Sequence, residues 1–263
     1  MAGLHFVPVR FDAVSDGPFH SFARDPWNNQ ESRANKRTVL NRATLNSGLS
    51  CNIGASAVAS LDIDLGGASR KLPSNMEIYI IRHTPVAVPT GTCYGFSDVA
   101  VSDDWRDHAA RMKRNIPLDS ITANNVFTSP LSRCAKLSRE LTDSPREDDR
   151  LKEMNYGDWE GRLWGDIGRE EINAWLADLE HYGTPNGESL GDVHQRGVSF
   201  IKTLMQEPHE TAFVVTHGGM VRCLIAEIIG LDLTHAARLS VDYASVTRVK
   251  LDGDLRRLES MNV

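Results

Sequence analysis

The sequence predicts an α/β domain, a three-layer sandwich with a mostly parallel central sheet and a C-terminal hairpin. Two continuous apolar runs, residues 78–81 and 212–215, are typical of strands that are buried on both faces of a parallel sheet. Between these runs the apolar residues recur at helical spacing, and strands that alternate with helices form parallel sheets. The Asp252-Gly253 pair between two later segments predicts the hairpin, with a primed turn.

The first strand opens at Met76 and ends in the dipeptide Arg82-His83. A loop rich in proline and glycine follows it. Ser102 is expected to cap a helix over residues 103–114, because acids occupy the first turn of this segment and bases occupy its last. Residues 125–128 are a short second strand, which leads into another helix.

That second helix is expected to hold Pro130 in its first turn and to present Cys134, Leu137 and Leu141 on one face. Residues 151–161 are rich in aromatic and acidic side chains and predict a loop or a short strand. The remaining predicted elements are an amphipathic helix with Ile172, Trp175, Leu176 and Leu179, a second with Val193, Phe200, Ile201 and Leu204, the strand 212–215, a nearly all-apolar helix 220–229, and hairpin strands 245–251 and 255–261.

The composition limits the class of partner. The 263 residues carry a net charge of -6, so no general basic field exists to attract nucleic acid or an anionic membrane. No apolar run approaches the roughly 20 residues of a membrane span. The four cysteines lie far apart, which argues against a zinc site or disulfide framework and favours a reducing, cytoplasmic compartment. We therefore expect a small-molecule ligand and no nucleic-acid or membrane partner; the sequence does not predict the oligomeric state.

Residues 1–75 differ from the rest of the chain. They hold eight basic and six acidic residues, a net charge of +2, whereas residues 76–263 carry -8. Their weak apolar periodicity predicts a segment that buries too little surface to fold. Three interpretations stay open: a flexible extension, an organelle-targeting peptide, or residues translated upstream of a natural start at Met76. We favour the third, because Met76 opens the first strand with no lead-in, and we expect the folded domain to be residues 76–263.

Three predicted strands end in side chains that suit a phosphate. The first strand ends at Arg82 and His83, the second leads to Arg133 in the first turn of a helix, and the third leads to His217 at a helix start. Ligands of open α/β sheets bind beyond the carboxyl ends of the strands, and helix N-termini attract anions. Taken singly, Arg133 could be a surface residue and His217 a satisfied histidine. Together the four side chains predict a pocket for a dianion.

The residue types indicate phosphoryl transfer through a side-chain nucleophile. The sequence has no P-loop, no Asp-rich metal cluster and no Cys-x5-Arg loop, so we expect neither a metal nor a cofactor. A neutral imidazole nitrogen of His83 can attack phosphorus, and Arg82 and Arg133 can hold the phosphate oxygens in fork geometry. His217 can donate to a further oxygen. Glu153 is the candidate acid for the leaving alkoxide.

Two other carboxylates, Asp158 and Glu160, are rivals for the role of acid. Both stand a few residues after Glu153, in the same aromatic and acidic segment. We favour the interpretation that both are loop carboxylates in contact with solvent.

Four motifs carry a resemblance to a known family. They are Arg82-His83-Thr84, Ser129-Pro130-Leu131-Ser132-Arg133, Leu151-x-Glu153-x-x-x-Gly157 and Thr216-His217-Gly218. Together they resemble the histidine phosphatase superfamily over essentially all of residues 76–263. The resemblance implies the phosphoglycerate-mutase-like fold, His83 as phospho-acceptor, a phosphate pocket of Arg82, Arg133 and His217, Glu153 as proton donor, and catalysis without a metal.

Within that family the chain resembles the α-ribazole phosphatases of cobalamin biosynthesis. The cues are Thr84 after the histidine and the segments Gly91-x-Cys93-Tyr94-Gly95-x-x-Asp98, 157–161 (Gly-Asp-Trp-Glu-Gly) and 187–189 (Gly-Glu-Ser). Family mutases have Asn six residues after the histidine, where this chain has Pro89, which lacks an N–H donor. The candidate substrate-binding residues are Tyr94, Gly95 and Gly218.

The resemblance implies hydrolysis of α-ribazole 5'-phosphate through a phosphohistidine. The alternatives are a broad-specificity small-molecule phosphatase, a phosphoglycerate mutase, or an inactive module that binds phosphorylated ligands.

Overall fold

The computed structural model describes residues 75–263. The strands are β1 (Asn75–Arg82), β2 (Val126–Thr128), β3 (Arg146–Glu147), β4 (Thr211–Thr216), β5 (Val246–Asp252) and β6 (Leu255–Ser260). The helices are α1 (Trp105–Lys113), α2 (Ser132–Arg139), α3 (Arg169–Ala177), α4 (Leu190–Leu204), α5 (Gly218–Ile229) and α6 (Leu233–Ala236). The predicted leader, residues 1–75, lies outside the described residues apart from Asn75.

The six strands form one mixed sheet in the order β3-β2-β4-β1-β5-β6. The pairings β3-β2, β2-β4 and β4-β1 are parallel, whereas β1-β5 and β5-β6 are antiparallel. Central strands β1 and β4 are buried on both faces, which explains their unbroken apolar sequences. The predicted α/β class, with a mostly parallel sheet, is confirmed.

Two separate apolar cores lie on the two faces of the sheet. Alternate residues of β1 point to opposite sides: Ile78 and Ile80 join the larger core with α4 and α5, and Tyr79 and Ile81 join the smaller core with α1 and α2. Helices therefore cover both faces of the sheet, as the three-layer prediction requires.

The closing hairpin also matches its prediction. Asp252 pairs with Leu255 across a two-residue turn, and Gly253 has a positive φ of 57°, which a primed turn requires at its first central position. Among residues 75–263, the structure contains no helix that is both long and apolar enough to span a membrane.

Two predicted helix starts are wrong. The N-cap of α1 is Asp104, and Ser102 instead donates its hydroxyl hydrogen to the Asp104 carboxylate at 2.5 Å. Pro130 precedes the N-cap of α2, Leu131, so it lies outside the first turn. In both cases the favoured residue type lies one or two residues before the N-cap, within the range over which helix boundaries vary.

Short elements lie between α2 and α4. Residues 151–161 contain a 3-10 turn, Gly157–Trp159, within an irregular loop, so the loop alternative for this segment is confirmed. The sequence did not predict the two-residue strand β3 or the four-residue helix α6, since elements this short leave no periodic signal.

Candidate active site

His83 lies immediately after β1, at the carboxyl end of the sheet, and is buried. Its Nδ1 lies 2.7 Å from the carbonyl oxygen of Thr84, which can only accept, so Nδ1 carries the proton. The lone pair of the imidazole therefore resides on Nε2. Burial, together with the positive charges of Arg133 and Arg82, holds the pKa of His83 well below its usual value of 6.5. His83 is thus a neutral imidazole with an available nitrogen.

Arg82 occupies the last position of β1, beside His83. One terminal nitrogen donates to the carbonyl oxygen of Val241 at 2.5 Å, and the guanidinium lies 3.8 Å from the ring centre of Tyr243. Its Nε is buried and has no hydrogen-bond partner among the described residues. A buried N–H without a partner is costly, so this atom is a ready donor for an anion.

Arg133 is the second residue of α2 and is fully buried. Its two terminal nitrogens donate to the carbonyl oxygens of Ser97 and Gly95 at 2.8 and 2.6 Å, and Nε donates to Nδ1 of His217 at 3.2 Å. These bonds use three of the five N–H donors of a guanidinium. The side chain is therefore held rigidly while it keeps donors for a ligand.

His217 is the N-cap of α5, and its ring lies 5.1 Å from the ring of His83. Because Nδ1 accepts from Arg133, the proton lies on Nε2, which donates to Ser129 Oγ at 2.8 Å. Burial and neighbouring positive charge lower the pKa of His217. Both nitrogens are occupied in this structure, so direct donation from His217 to a phosphate oxygen stays a prediction.

Glu153 reaches the start of α5. Its two carboxylate oxygens accept from the backbone N–H groups of Met154 and Gly219, each at 3.0 Å. A Cβ at residue 219 would lie 2.4 Å from the carboxylate, so this approach requires glycine. A Cβ at Gly218 would lie 3.4 Å from Arg82 Nε, so the first residues of α5 face both Glu153 and Arg82.

The structure thus brings together the five predicted catalytic residues around one end of the sheet. Arg82 and His83 follow one another on β1, Arg133 contacts His217, and Glu153 binds the helix that His217 caps. Of the predicted substrate-binding residues, Gly95 supplies a carbonyl to Arg133, and Tyr94 lies with its ring 5.3 Å from the Arg133 guanidinium. A Cβ at residue 95 would lie 1.8 Å from the carbonyl oxygen of Met154.

Glu160, a rival for the role of acid, organises the loop that holds Arg133. Its carboxylate accepts from the N–H groups of Phe96 and Ser97 at 2.8 and 2.6 Å, from the Ser97 hydroxyl, and from Tyr156 N–H at 3.1 Å. Its oxygens are therefore engaged in shaping the loop and are not simply solvated. The other rival, Asp158, is exposed and accepts from the side chain of Asn186 at 2.8 Å.

We expect Glu160→Gln to weaken the binding of inorganic phosphate about tenfold, because an amide cannot accept all of these hydrogen bonds and the carbonyls that fix Arg133 would shift. Calorimetric titration with phosphate measures the effect. Asp166→Asn, which alters an exposed carboxylate on the following turn, is the matched control. Unchanged affinity in Glu160→Gln would show that the loop does not depend on this carboxylate.

Stability should depend on pH because two buried histidines have lowered pKa values. His83 and His217 stay neutral in the folded state, whereas in the unfolded chain each titrates near pH 6.5. Below pH 6.5 the unfolded state binds more protons, so the free energy of unfolding should fall as the pH drops from 6.5 towards the folded pKa values. His181, whose pKa is raised, is exposed and opposes this trend only weakly.

Urea unfolding, followed through the fluorescence of the tryptophan cluster Trp159, Trp164 and Trp175, whose rings contact one another, measures this pH dependence. The urea midpoint should be steady above pH 6.5 and decline below it. His217→Gln should flatten the decline even if it lowers the midpoint at every pH. A midpoint that does not change between about pH 7.5 and about pH 5 would contradict the account.

Three residues at the site were not predicted from the sequence. Ser129 accepts from His217, Tyr243 packs on Arg82, and Arg222 in α5 donates from Nε to the carbonyl of Leu239 at 2.8 Å. Burial and the charge of Arg82 lower the pKa of Arg222. An arginine inside a nearly all-apolar helix was a usable signal for Arg222. Ser129 stands within a motif, whereas nothing local marks Tyr243.

The family is established by comparison with known proteins. The model of the histidine phosphatase superfamily (branch 1) matches residues 78–263. This chain belongs to the histidine phosphatase superfamily. The adenosylcobalamin/alpha-ribazole phosphatase of Escherichia coli K12 is 31% identical over 197 residues, which cover 71% of this chain and 96% of that protein.

Other relatives in the superfamily differ in their named activities. A probable phosphoglycerate mutase of Erwinia tasmaniensis is 26% identical over 184 residues, 66% of this chain and 84% of that protein. The putative phosphoserine phosphatase 2 of Hydrogenobacter thermophilus is 24% identical over 144 residues, 52% of this chain and 71% of that protein. Membership in the histidine phosphatase superfamily therefore leaves both phosphatase and mutase activity to be considered.

Solved structures of histidine phosphatases share the fold. The alpha-ribazole phosphatase from Shigella flexneri superposes with a TM-score of 0.65 at 25% identity, covering 72% of this chain and 96% of that one. A mycobacterial glucosyl-3-phosphoglycerate phosphatase superposes with a TM-score of 0.63 at 23% identity, covering 72% of this chain and 99% of that one. This similarity is evidence for the fold alone. The predicted phosphoglycerate-mutase-like fold is confirmed.

Proposed function

We propose that this protein is a phosphomonoesterase that works through a phosphohistidine at His83. The observation that carries the proposal is the tautomer of His83: Nδ1–H is bound to the Thr84 carbonyl, which leaves the Nε2 lone pair for attack. The arginine side chains next to it supply positive charge where the phosphoryl oxygens would lie. The lowered pKa keeps the nucleophile unprotonated at neutral pH.

In the first step Nε2 of His83 attacks phosphorus and the bond from phosphorus to the alcohol oxygen breaks. Arg82 and Arg133 stabilise the charge on the equatorial oxygens, because their guanidinium groups are held in place and keep N–H donors for a ligand. Glu153 gives its proton to the departing oxygen. The product alcohol leaves, and the phosphoryl group stays on His83.

In the second step water attacks the phosphohistidine and the phosphorus–nitrogen bond breaks. Glu153, now a carboxylate, accepts a proton from the attacking water and so returns to its starting state. Inorganic phosphate is released and His83 regains its lone pair. Every bond and proton in the two steps is accounted for by His83, Glu153, substrate and water, and no metal or cofactor enters the proposal.

The substrate we propose is α-ribazole 5'-phosphate, in cobalamin biosynthesis in the cytoplasm. The support is the 31% identity to the E. coli adenosylcobalamin/alpha-ribazole phosphatase, which covers nearly the whole of that protein. Phosphate release from α-ribazole 5'-phosphate should exceed release from O-phosphoserine and 3-phosphoglycerate in kcat/KM. Equal values for the three esters would favour a broad-specificity phosphatase.

A second candidate, phosphoglycerate mutase, is favoured by the names of other relatives. Pro89 argues against it, since this residue has no N–H to offer a second phosphate group and lies exposed in a turn. Incubation with 3-phosphoglycerate and a bisphosphoglycerate distinguishes the two. We expect free phosphate; conversion to 2-phosphoglycerate without phosphate release would indicate a mutase.

A further inference from the structure

Two tyrosines from different loops meet at the candidate phosphate pocket. Tyr94 lies between β1 and α1, Tyr243 lies between α6 and β5, and their hydroxyl oxygens are 2.6 Å apart. The ring of Tyr243 packs on the guanidinium of Arg82 and lies 5.5 Å from the ring of His83. The ring of Tyr94 lies beside Arg133. Both tyrosines are partly exposed, as is Arg82, whereas Arg133 is fully buried, so the pair lies on the solvent side of the pocket.

The backbone that presents Tyr243 is held in an unfavourable conformation. Ala244, the next residue, has a positive φ of 55°, which residues with a Cβ rarely adopt. Its N–H donates to the carbonyl oxygen of His83 at 3.0 Å. Asp242, on the other side, exchanges two hydrogen bonds with Asn262, at 2.6 and 2.8 Å. The surroundings therefore impose the position of Tyr243, and strain of this kind concentrates at ligand sites.

We propose that Tyr94 and Tyr243 form the subsite for the leaving alcohol, and that this subsite selects phosphate esters of polyhydroxy alcohols such as a furanose sugar. The inference rests on the phosphatase function proposed above and identifies the residues that select its substrate. A phosphoryl group held beside His83 by Arg82 and Arg133 directs its alcohol towards the exposed side of the pocket, where the two tyrosines lie. The two phenols share one hydrogen bond, so the second hydroxyl hydrogen and the remaining lone pairs are left for the alcohol.

Contact with the two hydroxyl groups decides which alcohols fit. A bound alcohol excludes water from this side of the tyrosines, and a phenol that is covered without gaining a hydrogen-bond partner is unfavourable. Hydroxyl groups of a sugar can form hydrogen bonds to both phenols and so supply these partners. A saturated ring of the same size without hydroxyl groups cannot, so the site discriminates against it.

Calorimetric binding to the full chain carrying His83→Ala tests this without turnover. The ligands are ribose 5-phosphate and tetrahydrofurfuryl phosphate, which share a five-membered ring and a primary phosphate but differ in ring hydroxyl groups. We expect ribose 5-phosphate to bind more tightly. Tyr94→Phe and Tyr243→Phe should each reduce the ratio of the two affinities about tenfold.

Matched controls distinguish the contribution of the tyrosine hydroxyl groups from that of the aromatic rings. Tyr243→Phe keeps the ring on Arg82, so it should lower the affinity for inorganic phosphate less than Tyr243→Leu does. Tyr182→Phe, at an exposed tyrosine elsewhere, should change nothing. An unchanged affinity ratio in both phenylalanine variants would overturn the inference, as would a failure of ribose 5-phosphate to bind a protein that binds phosphate.

The binding result and the catalytic result can fail separately. If the wild-type protein releases no phosphate from any ester while the affinity ratio still depends on the two hydroxyl groups, the proposed hydrolysis fails and the subsite stands. If phosphate is released but the affinity ratio does not depend on the two tyrosine hydroxyl groups, the proposed subsite fails and the proposed hydrolysis stands.

Discussion

His83→Ala is expected to reduce kcat for phosphate-ester hydrolysis by on the order of 10⁶-fold, because alanine has no lone pair with which to attack phosphorus. Nε2 of His83 is the side-chain nucleophile of the mechanism, and its orientation depends on the bond from Nδ1 to the Thr84 carbonyl. Release of inorganic phosphate under substrate saturation measures the loss.

The same variant should still bind inorganic phosphate, since Arg133 keeps its bonds to Gly95, Ser97 and His217. His235→Ala, at an exposed histidine, controls for the loss of an imidazole elsewhere and should hydrolyse esters at the wild-type rate. Residual activity of His83→Ala within tenfold of wild type would require a different nucleophile.

Glu153→Gln should reduce kcat by about 10²- to 10⁴-fold, the range for removal of a general acid. Glutamine keeps the shape of the side chain and can still accept from the N–H group of Gly219, which Glu153 binds at 3.0 Å. It cannot give or take a proton. The loss should be largest for esters of alkyl alcohols and smallest for 4-nitrophenyl phosphate, whose leaving group needs little protonation.

Asp158→Asn is the matched control, because Asp158 is exposed and its carboxylate accepts from the side chain of Asn186. It should retain wild-type kcat for both kinds of ester. A large loss in Asp158→Asn together with a small one in Glu153→Gln would place the acid at residue 158. Equal losses for alkyl and 4-nitrophenyl esters in Glu153→Gln would indicate that Glu153 acts on the structure of the site and not on the leaving group.

The elements that carry the site could be predicted because the relevant signals are local. Residues 78–81 and 212–215 are unbroken apolar runs, and the rule that ligands bind beyond the carboxyl ends of parallel strands places His83 and His217 together. The ring separation of 5.1 Å agrees with that expectation. Arg133 follows from the same reasoning, since β2 pairs with β4 in the parallel part of the sheet.

The contacts that refine the site could not be predicted, because they join residues far apart in the sequence. The Tyr94–Tyr243 bond links two loops separated by most of the domain, and Tyr243 has no motif around it. The role of Glu160 depends on where the loop at Phe96 and Ser97 returns. The tautomer of His217 is set by Arg133 and Ser129 together, which residue types alone do not indicate.

The measurement that tests the central claim most directly is identification of the phosphorylated residue. Wild-type protein is mixed with a radiolabelled phosphate ester, quenched within milliseconds in base, in which phosphohistidine persists, and mapped by peptide mass spectrometry. The account predicts one labelled peptide, with the phosphoryl group on His83, and no label in His83→Ala. Label on another residue, or a burst of free phosphate of the same size from His83→Ala, would contradict it.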